Sequence, residues 1–313
     1  MMKKQLILQK RDIELLHFLA LYRCIKLEYV KSIYQTNIYY LRRIEKLSKY
    51  KYITRSKKKI YLGKVGRVYL KENNIPIREW CRDDKNINRI ERITNIAGAF
   101  YNSKYEFIPS FKLKNEIYTK IGRKYMGQLI DKETNKIYII YYLPDNMNRK
   151  LLKTIQKDIQ KEDQENSILI FYDSEETAIR YGLQSYGFKE LLLLQFTKDN
   201  VSIFKDYNNK TKEILSNITN ANLQPSLWQG ADYFIEENNS YISALVLQDI
   251  RKVQEILQYF KVNEHSNRNI IVFCFTKDKA RYEKLLPMCE IKNFNIKEDP
   301  NNGQNKKDNK NFN

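Results

Sequence analysis

Twice along this chain, runs of nearly continuous apolar residues of strand length alternate with amphipathic stretches of helix length. The first set predicts a strand over 136–143 (Lys-Ile-Tyr-Ile-Ile-Tyr-Tyr-Leu), a helix over 147–161, a strand over 167–172, a helix over 174–182 and a strand over 190–196. The second predicts a strand over 241–247, a helix over 250–262, a strand over 269–275, a helix over 277–287 and a weak strand over 291–296. Strands without polar alternation must be covered on both faces, and strand–helix alternation supplies the cover. Both sets follow β-α-β-α-β order, and their first strands begin at Ile137 and Tyr241. The pattern reads as a diverged internal repeat, or two similar α/β units, over 106–215 and 216–297.

The first quarter is built differently. Residues 1–73 hold 19 Lys and Arg against 5 Asp and Glu, a net of +14 out of +19 for all 313 residues. Charge concentrated in this way is a field directed at a polyanion. Leu15, Leu16, Phe18, Leu19 and Leu21 mark one face of a first helix over 11–21. Leu27, Val30 and Tyr34 mark a short second helix, and Gln35-Thr36-Asn37 breaks it, with Thr36 or Asn37 placed to cap a third. In that third helix, Ile38 to about Tyr50, an inward stripe of Leu41, Ile44 and Leu47 is expected. Tyr39, Arg42, Arg43, Lys46 and Lys49 occupy the remaining surface, offset only by Glu45. A helix of this kind after a short turn suits a DNA major groove, where side chains meet base edges and flanking cations hold phosphates. Two β-prone runs, over 52–55 and 60–62, surround Ser56-Lys57-Lys58-Lys59 and predict a hairpin whose three lysines meet the phosphate backbone. A last short helix over 64–71 returns to the core. The expected DNA-binding residues are therefore Thr36, Asn37, Tyr39, Arg42, Arg43, Lys46, Lys49, Lys57, Lys58 and Lys59.

Arg11-Asp12-Ile13, Leu41-Arg42-Arg43-Ile44-Glu45-Lys46-Leu47, Tyr52-Ile53-Thr54-Arg55 and Tyr61-Leu62-Gly63-Lys64-Val65-Gly66 together resemble the replication-relaxation family, over about residues 8–72. These are winged-helix proteins of plasmids and conjugative elements in Gram-positive bacteria. The resemblance implies DNA binding linked to replication, transfer or its control. It also implies a nuclease-like α/β fold after the winged helix, whose metal site would need an Asp and a Glu-x-Lys on adjacent strands. The strand Ile137–Leu143 carries no acid, nor does Ala244-Leu245-Val246, and Glu236 and Glu237 sit just before a turn. Such folds are expected here in degenerate, non-catalytic form.

Other chemistry has little support. His17 and His265 are the only histidines and stand in different segments, so no metal-binding histidine cluster accompanies the many tyrosines. Nine glycines include no phosphate-cradling Gly-x-x-x-x-Gly-Lys-[Ser/Thr] loop. Asp173-Ser174-Glu175-Glu176-Thr177 follows a strand and reads as helix capping and dipole pairing, as does Thr276-Lys277-Asp278. Cys24, Cys81, Cys274 and Cys289 have no Cys-x-x-Cys spacing and are expected as buried thiols. No apolar run approaches the length of a membrane span. The start has Lys3 and Lys4 but only a short apolar run and no cleavage-like site, so a cytoplasmic location is expected.

The fold expected is thus multidomain α+β/α/β: a winged helix-turn-helix over 1–75, a connector helix within 76–105, two α/β units over 106–215 and 216–297, and a disordered tail over 298–313. Ile90, Ile93 and Ala97 form a stripe on the connector helix open to a second copy. The expected function is non-enzymatic, sequence-specific binding of double-stranded DNA on a plasmid, conjugative element or phage, acting in replication, transfer or transcriptional control. No cofactor is expected; the partners are DNA, a second copy of the chain, and replication or transfer proteins. Two alternatives stay open on these residues: a divergent metal-dependent nuclease and a protein-binding adaptor.

Overall fold

In the computed structural model, which describes residues 6–36, 38–78, 84–113, 124–184, 186–263 and 268–294, the first apolar stripe becomes α1 (Lys10–Tyr22). Leu15, Leu16 and Leu19 are at most 1% exposed. Arg23 ends the helix in a positive-φ conformation, and β1 (Cys24–Lys26) leads directly into α2 (Leu27–Tyr34) and α3 (Tyr39–Lys49). The hairpin β2 (Ile53–Ser56) and β3 (Lys59–Leu62) follows, then α4 (Lys64–Glu72). β1 was not expected from the sequence. It pairs antiparallel with β3, Cys24 opposite Tyr61, so the hairpin becomes a sheet in the order β1-β3-β2. Leu41 is a correction as well. Expected inward, it is 39% exposed, because α3 turns Arg43, Ile44 and Leu47 to the interior.

By its internal contacts the chain divides into two units, 1–180 with 195–205 and 181–194 with 206–313. In the first unit, α5 (Asp84–Phe100) packs on β1, α2 and β4 (Tyr105–Pro109). Ile93, Ile96, Ala97 and Phe100 are buried there, and Thr94 donates a hydrogen bond to the Tyr22 carbonyl at 3.0 Å. The apolar stripe expected to face a second copy is therefore covered within the unit. Antiparallel β4, β5 (Gly127–Asp131) and β6 (Ile137–Leu143) are joined through α6 (Arg149–Ile159) to β7 (Ser167–Tyr172), parallel to β6. Every residue of β7 is buried, as its unbroken apolar run requires. The boundary between the units passes through α7 (Glu175–Tyr181) and β8 (Glu190–Gln195). The first turns of α8 (Lys198–Thr219) then return to the first unit and place Phe204 edge-on to Phe100, with centroids 5.9 Å apart.

The second unit repeats this plan. β9 (Gln224–Pro225), β10 (Tyr233–Ile235) and β11 (Ser240–Ala244) are antiparallel, followed by α9 (Ile250–Val262), β12 (Asn269–Cys274), α10 (Thr276–Leu285) and β13 (Glu290–Asn293), with β11, β12 and β13 parallel. The register repeats too. Tyr138 pairs with Ser167 and Ser240 pairs with Asn269, so the same separation along the chain joins the paired strands of each unit. The amide of Met126 donates to the Ile140 carbonyl at 2.6 Å, and that of Asp232 to the Ile242 carbonyl at 2.8 Å. Asn148 and Asp249 each cap the first crossover helix of their unit, accepting from Leu151 and Arg251 amides. The protein is thus a mixed helix and sheet molecule with two topologically matching α/β sheets. Among the described residues no helix is long and apolar enough to cross a membrane. Cys81, His265 and the tail expected over 298–313 lie outside the described residues.

Candidate nucleic-acid interface

Asp12 determines which arginine of α3 is available. It lies at the third position of α1, on the same helical face as Leu15, Leu16 and Leu19, and is fully buried. A carboxylate there needs hydrogen bonds and a cation. It accepts from the Gln9 amide at 2.8 Å, from the Tyr34 hydroxyl at 2.5 Å and from Arg43 Nε at 3.2 Å, and it forms an ion pair with Arg43 Nη2. Arg43 is 5% exposed and also donates to the Ile7 carbonyl at 3.2 Å. Burial, with the Asp12 hydrogen bond second, raises the Tyr34 hydroxyl well above its ordinary range and keeps it a donor. Arg43, expected on the DNA-facing surface, instead joins α1, α2 and α3 from within. That is a correction, and its cause is an acid two helices upstream.

The other expected residues of α3 lie outside. Arg42, Lys46 and Lys49 are exposed, beside Glu45, and Tyr39 is 43% exposed with its hydroxyl hydrogen-bonded to the Gln9 side chain at 2.9 Å. Ile38 and Leu41 are exposed among them, at 69% and 39%. Apolar side chains there suit the thymine methyl group of a major groove. Thr36 is half-buried, and its Oγ1 is enclosed with no hydrogen-bond partner among the described residues, so it neither caps α3 nor reaches outward. Asn37 lies outside the described residues.

At the hairpin, Lys57 takes the left-handed conformation (φ 53°) that closes the two-residue turn, and Lys57 and Lys58 are exposed. Lys59, expected beside them, is half-buried in β3 and ion-paired to Glu91 at 2.7 Å, so it braces the hairpin against α5. Sequence reasoning passed over Lys51 and Arg55, which are also exposed in this segment. Both lie between β-prone residues, where charge alternation on an open strand face was the available signal. Between Ile38 and Lys58, Glu45 is the single acid against Arg42, Arg43, Lys46, Lys49, Lys51, Arg55, Lys57 and Lys58.

The acidic residues do not converge in the same way. Asp173 accepts from the Tyr142 hydroxyl at 2.6 Å and the Asp145 amide at 3.2 Å, and Glu175 accepts from the Tyr172 hydroxyl at 2.7 Å. In the second unit, Asp232 sits just before β10, pairs with Lys252 Nζ at 2.6 Å and accepts from the Ala244 amide at 2.8 Å. Neighbouring Asp249 caps α9, and burial raises its carboxyl to about 6 against the pull of Lys252. Among the described residues no group of three or more His, Cys, Asp or Glu is placed to hold a metal ion. Burial raises the Cys24 thiol, pushes Cys274 up to about 11 and Cys289 up to about 12, which makes all three poor nucleophiles and ligands. Comparison of the chain with protein-family models, curated proteins and solved structures finds no match.

Proposed function

We propose that this chain is a sequence-specific, non-catalytic binder of double-stranded DNA, in which residues 1–75 form a winged helix-turn-helix. In this reading α3 is the recognition helix and the β2–β3 hairpin is the wing. The observation that carries it is the exposed set Arg42, Lys46 and Lys49 on α3 with Lys57 and Lys58 at the hairpin turn, opposed by Glu45 alone. The element order, with three helices and then a hairpin joined by β1 into one small sheet, supports it. The resemblance of residues 8–72 to the replication-relaxation family favours a site on a plasmid, conjugative element or phage, in replication, transfer or transcriptional control. The matching α/β units would then serve a homodimer or dock replication or transfer proteins. Sequencing of plasmid and genomic fragments retained by the pure full-length protein tests the proposal. A shared motif among the fragments supports it, and retention no more selective than that of an unrelated basic protein refutes it.

A metal-dependent nuclease is the second reading, favoured by the acid–lysine pair Asp232 and Lys252 near the carboxyl end of β11, where open α/β sheets take their ligands. Plasmid cleavage in magnesium or manganese that disappears in Asp232→Asn would promote it.

A further inference from the structure

The first unit contains a cleft of about 660 Å³ that the DNA proposal leaves unused, a size typical of small-molecule sites. Four elements build it: α2, the start of α3, the end of α5 and the start of α8. Its aromatic walls are Tyr29, Tyr40 and Tyr101. Tyr29 is held against α5 at Gly98, where an added Cβ would lie 2.8 Å from the Tyr29 Cβ. Tyr101 is packed edge-on to Phe18, with centroids 5.8 Å apart. Hydrogen-bonding edges come from Ser32, Gln35, Asn102 and Ser202, and Asn102 is tied to the Ser32 carbonyl at 3.3 Å.

The charge is one-sided. Lys31 and Lys198 are exposed at the cleft, and Lys205 lies deeper, donating to the Ala99 carbonyl. Among the described lining residues Glu28 is the one acid, and it has Lys26 3.8 Å away. Flat aromatic walls with the exposed ammonium groups of Lys31 and Lys198 suit a ligand that joins a planar ring to phosphate.

We propose that this cleft binds a phosphorylated nucleoside and that its occupancy biases the position of α3. Tyr40 stands on the opposite side of α3 from Arg42 and Lys49, one turn before buried Ile44 and two before buried Leu47, so a ligand against it acts on the helix from behind. The coupling to α3 rests on the DNA-binding proposal, whereas the ligand site does not.

The test is calorimetric titration of the full chain with ATP, GTP and AMP, with tripolyphosphate as the ring-free anion. Saturable one-to-one binding of a nucleotide is expected, weakened about tenfold or more by Lys198→Glu and by Tyr101→Ala. The double variant Lys57→Glu/Lys58→Glu should bind it as the native chain does, which separates the cleft from the basic hairpin. No saturable binding, equal binding of tripolyphosphate, or loss only in the hairpin variant would overturn the site. Circular dichroism of each variant checks folding, and the native chain alone decides whether a nucleotide binds. Saturating nucleotide should also shift the affinity for a selected duplex several-fold; an unchanged affinity overturns the coupling. Nucleotide binding by a protein that selects no DNA would sink the DNA proposal and leave the cleft standing.

Discussion

Arg42 and Arg43 are adjacent and chemically identical, yet they should fail in different ways when changed. Arg43 neutralises the buried Asp12 carboxylate, so Arg43→Ala leaves an uncompensated charge among α1, α2 and α3. A loss of about 3–5 kcal/mol in urea unfolding of the first unit is expected. Arg42→Ala should leave stability within about 0.5 kcal/mol and lower discrimination for the selected DNA by about 1–3 kcal/mol. Equal stability losses in the two variants would contradict the assignment. The expected stripe of Leu41, Ile44 and Leu47 left both arginines outside it, although Arg43, four residues before Leu47, shares the buried face and Arg42 does not. The legible signal lay elsewhere: Asp12 interrupts the apolar face of α1 and requires a buried cation. Asp249 makes a second prediction at this scale. Its carboxyl is raised from the usual value near 3.8 to about 6, so the folded state holds the proton more tightly than the unfolded chain. The stability this contributes is complete below pH 3.8 and is lost as pH rises through 6. Asp249→Asn keeps a capping side chain, so its melting temperature should exceed that of the native chain at pH 8 and converge with it by pH 4. An unchanged difference across that range would contradict the burial argument.

Among elements, those with strong periodicity were legible and short ones were not. β6, α6, β7, α9 and β12 coincide closely with their apolar runs. β1 has only three residues, and β5 (Gly-Gln-Leu-Ile-Asp) holds just two apolar side chains, adjacent rather than alternating, so both depend on pairing partners for their existence. α8 is interrupted by Asn208, Asn209 and Asn217, which blur its helical period. The lysine cluster was legible as a turn, but not the departure of Lys59 to Glu91, because α5 lies far along the chain. Packing between elements gives a further prediction at Gly66. A Cβ there would lie 2.2 Å from the Tyr52 carbonyl oxygen, and backbone cannot rotate away as a side chain can. Gly66→Ala should cost about 1–3 kcal/mol, although alanine favours helix by roughly 1 kcal/mol. A stabilised variant in thermal unfolding would show that α4 and the Tyr52 backbone before β2 are not in close contact.

Across the whole molecule, the repeat of strand register between the two α/β sheets contrasts with their side chains, which carry tyrosines on β6 and Ser240, Ser243 and Ala244 on β11. These side chains are buried, so the two sheets share a topology over divergent interiors, while the positive charge is concentrated before Asn74. One recognition helix contacts few base pairs, so a regulatory site would call for two copies. Light scattering of the DNA complex should then give a protein mass about twice 37.7 kDa. A single copy on the DNA would contradict the dimer, though not the reading of the helix. The central claim is tested most directly by anisotropy titrations on the recovered duplex and a scrambled one, at several salt concentrations. Neutralising Lys57 and Lys58 together should reduce the slope of log affinity against log salt by about two units, with the ratio between the two duplexes preserved. Arg42→Ala should lower that ratio instead. Slopes and ratios that do not move in either variant would contradict DNA binding through α3 and the hairpin.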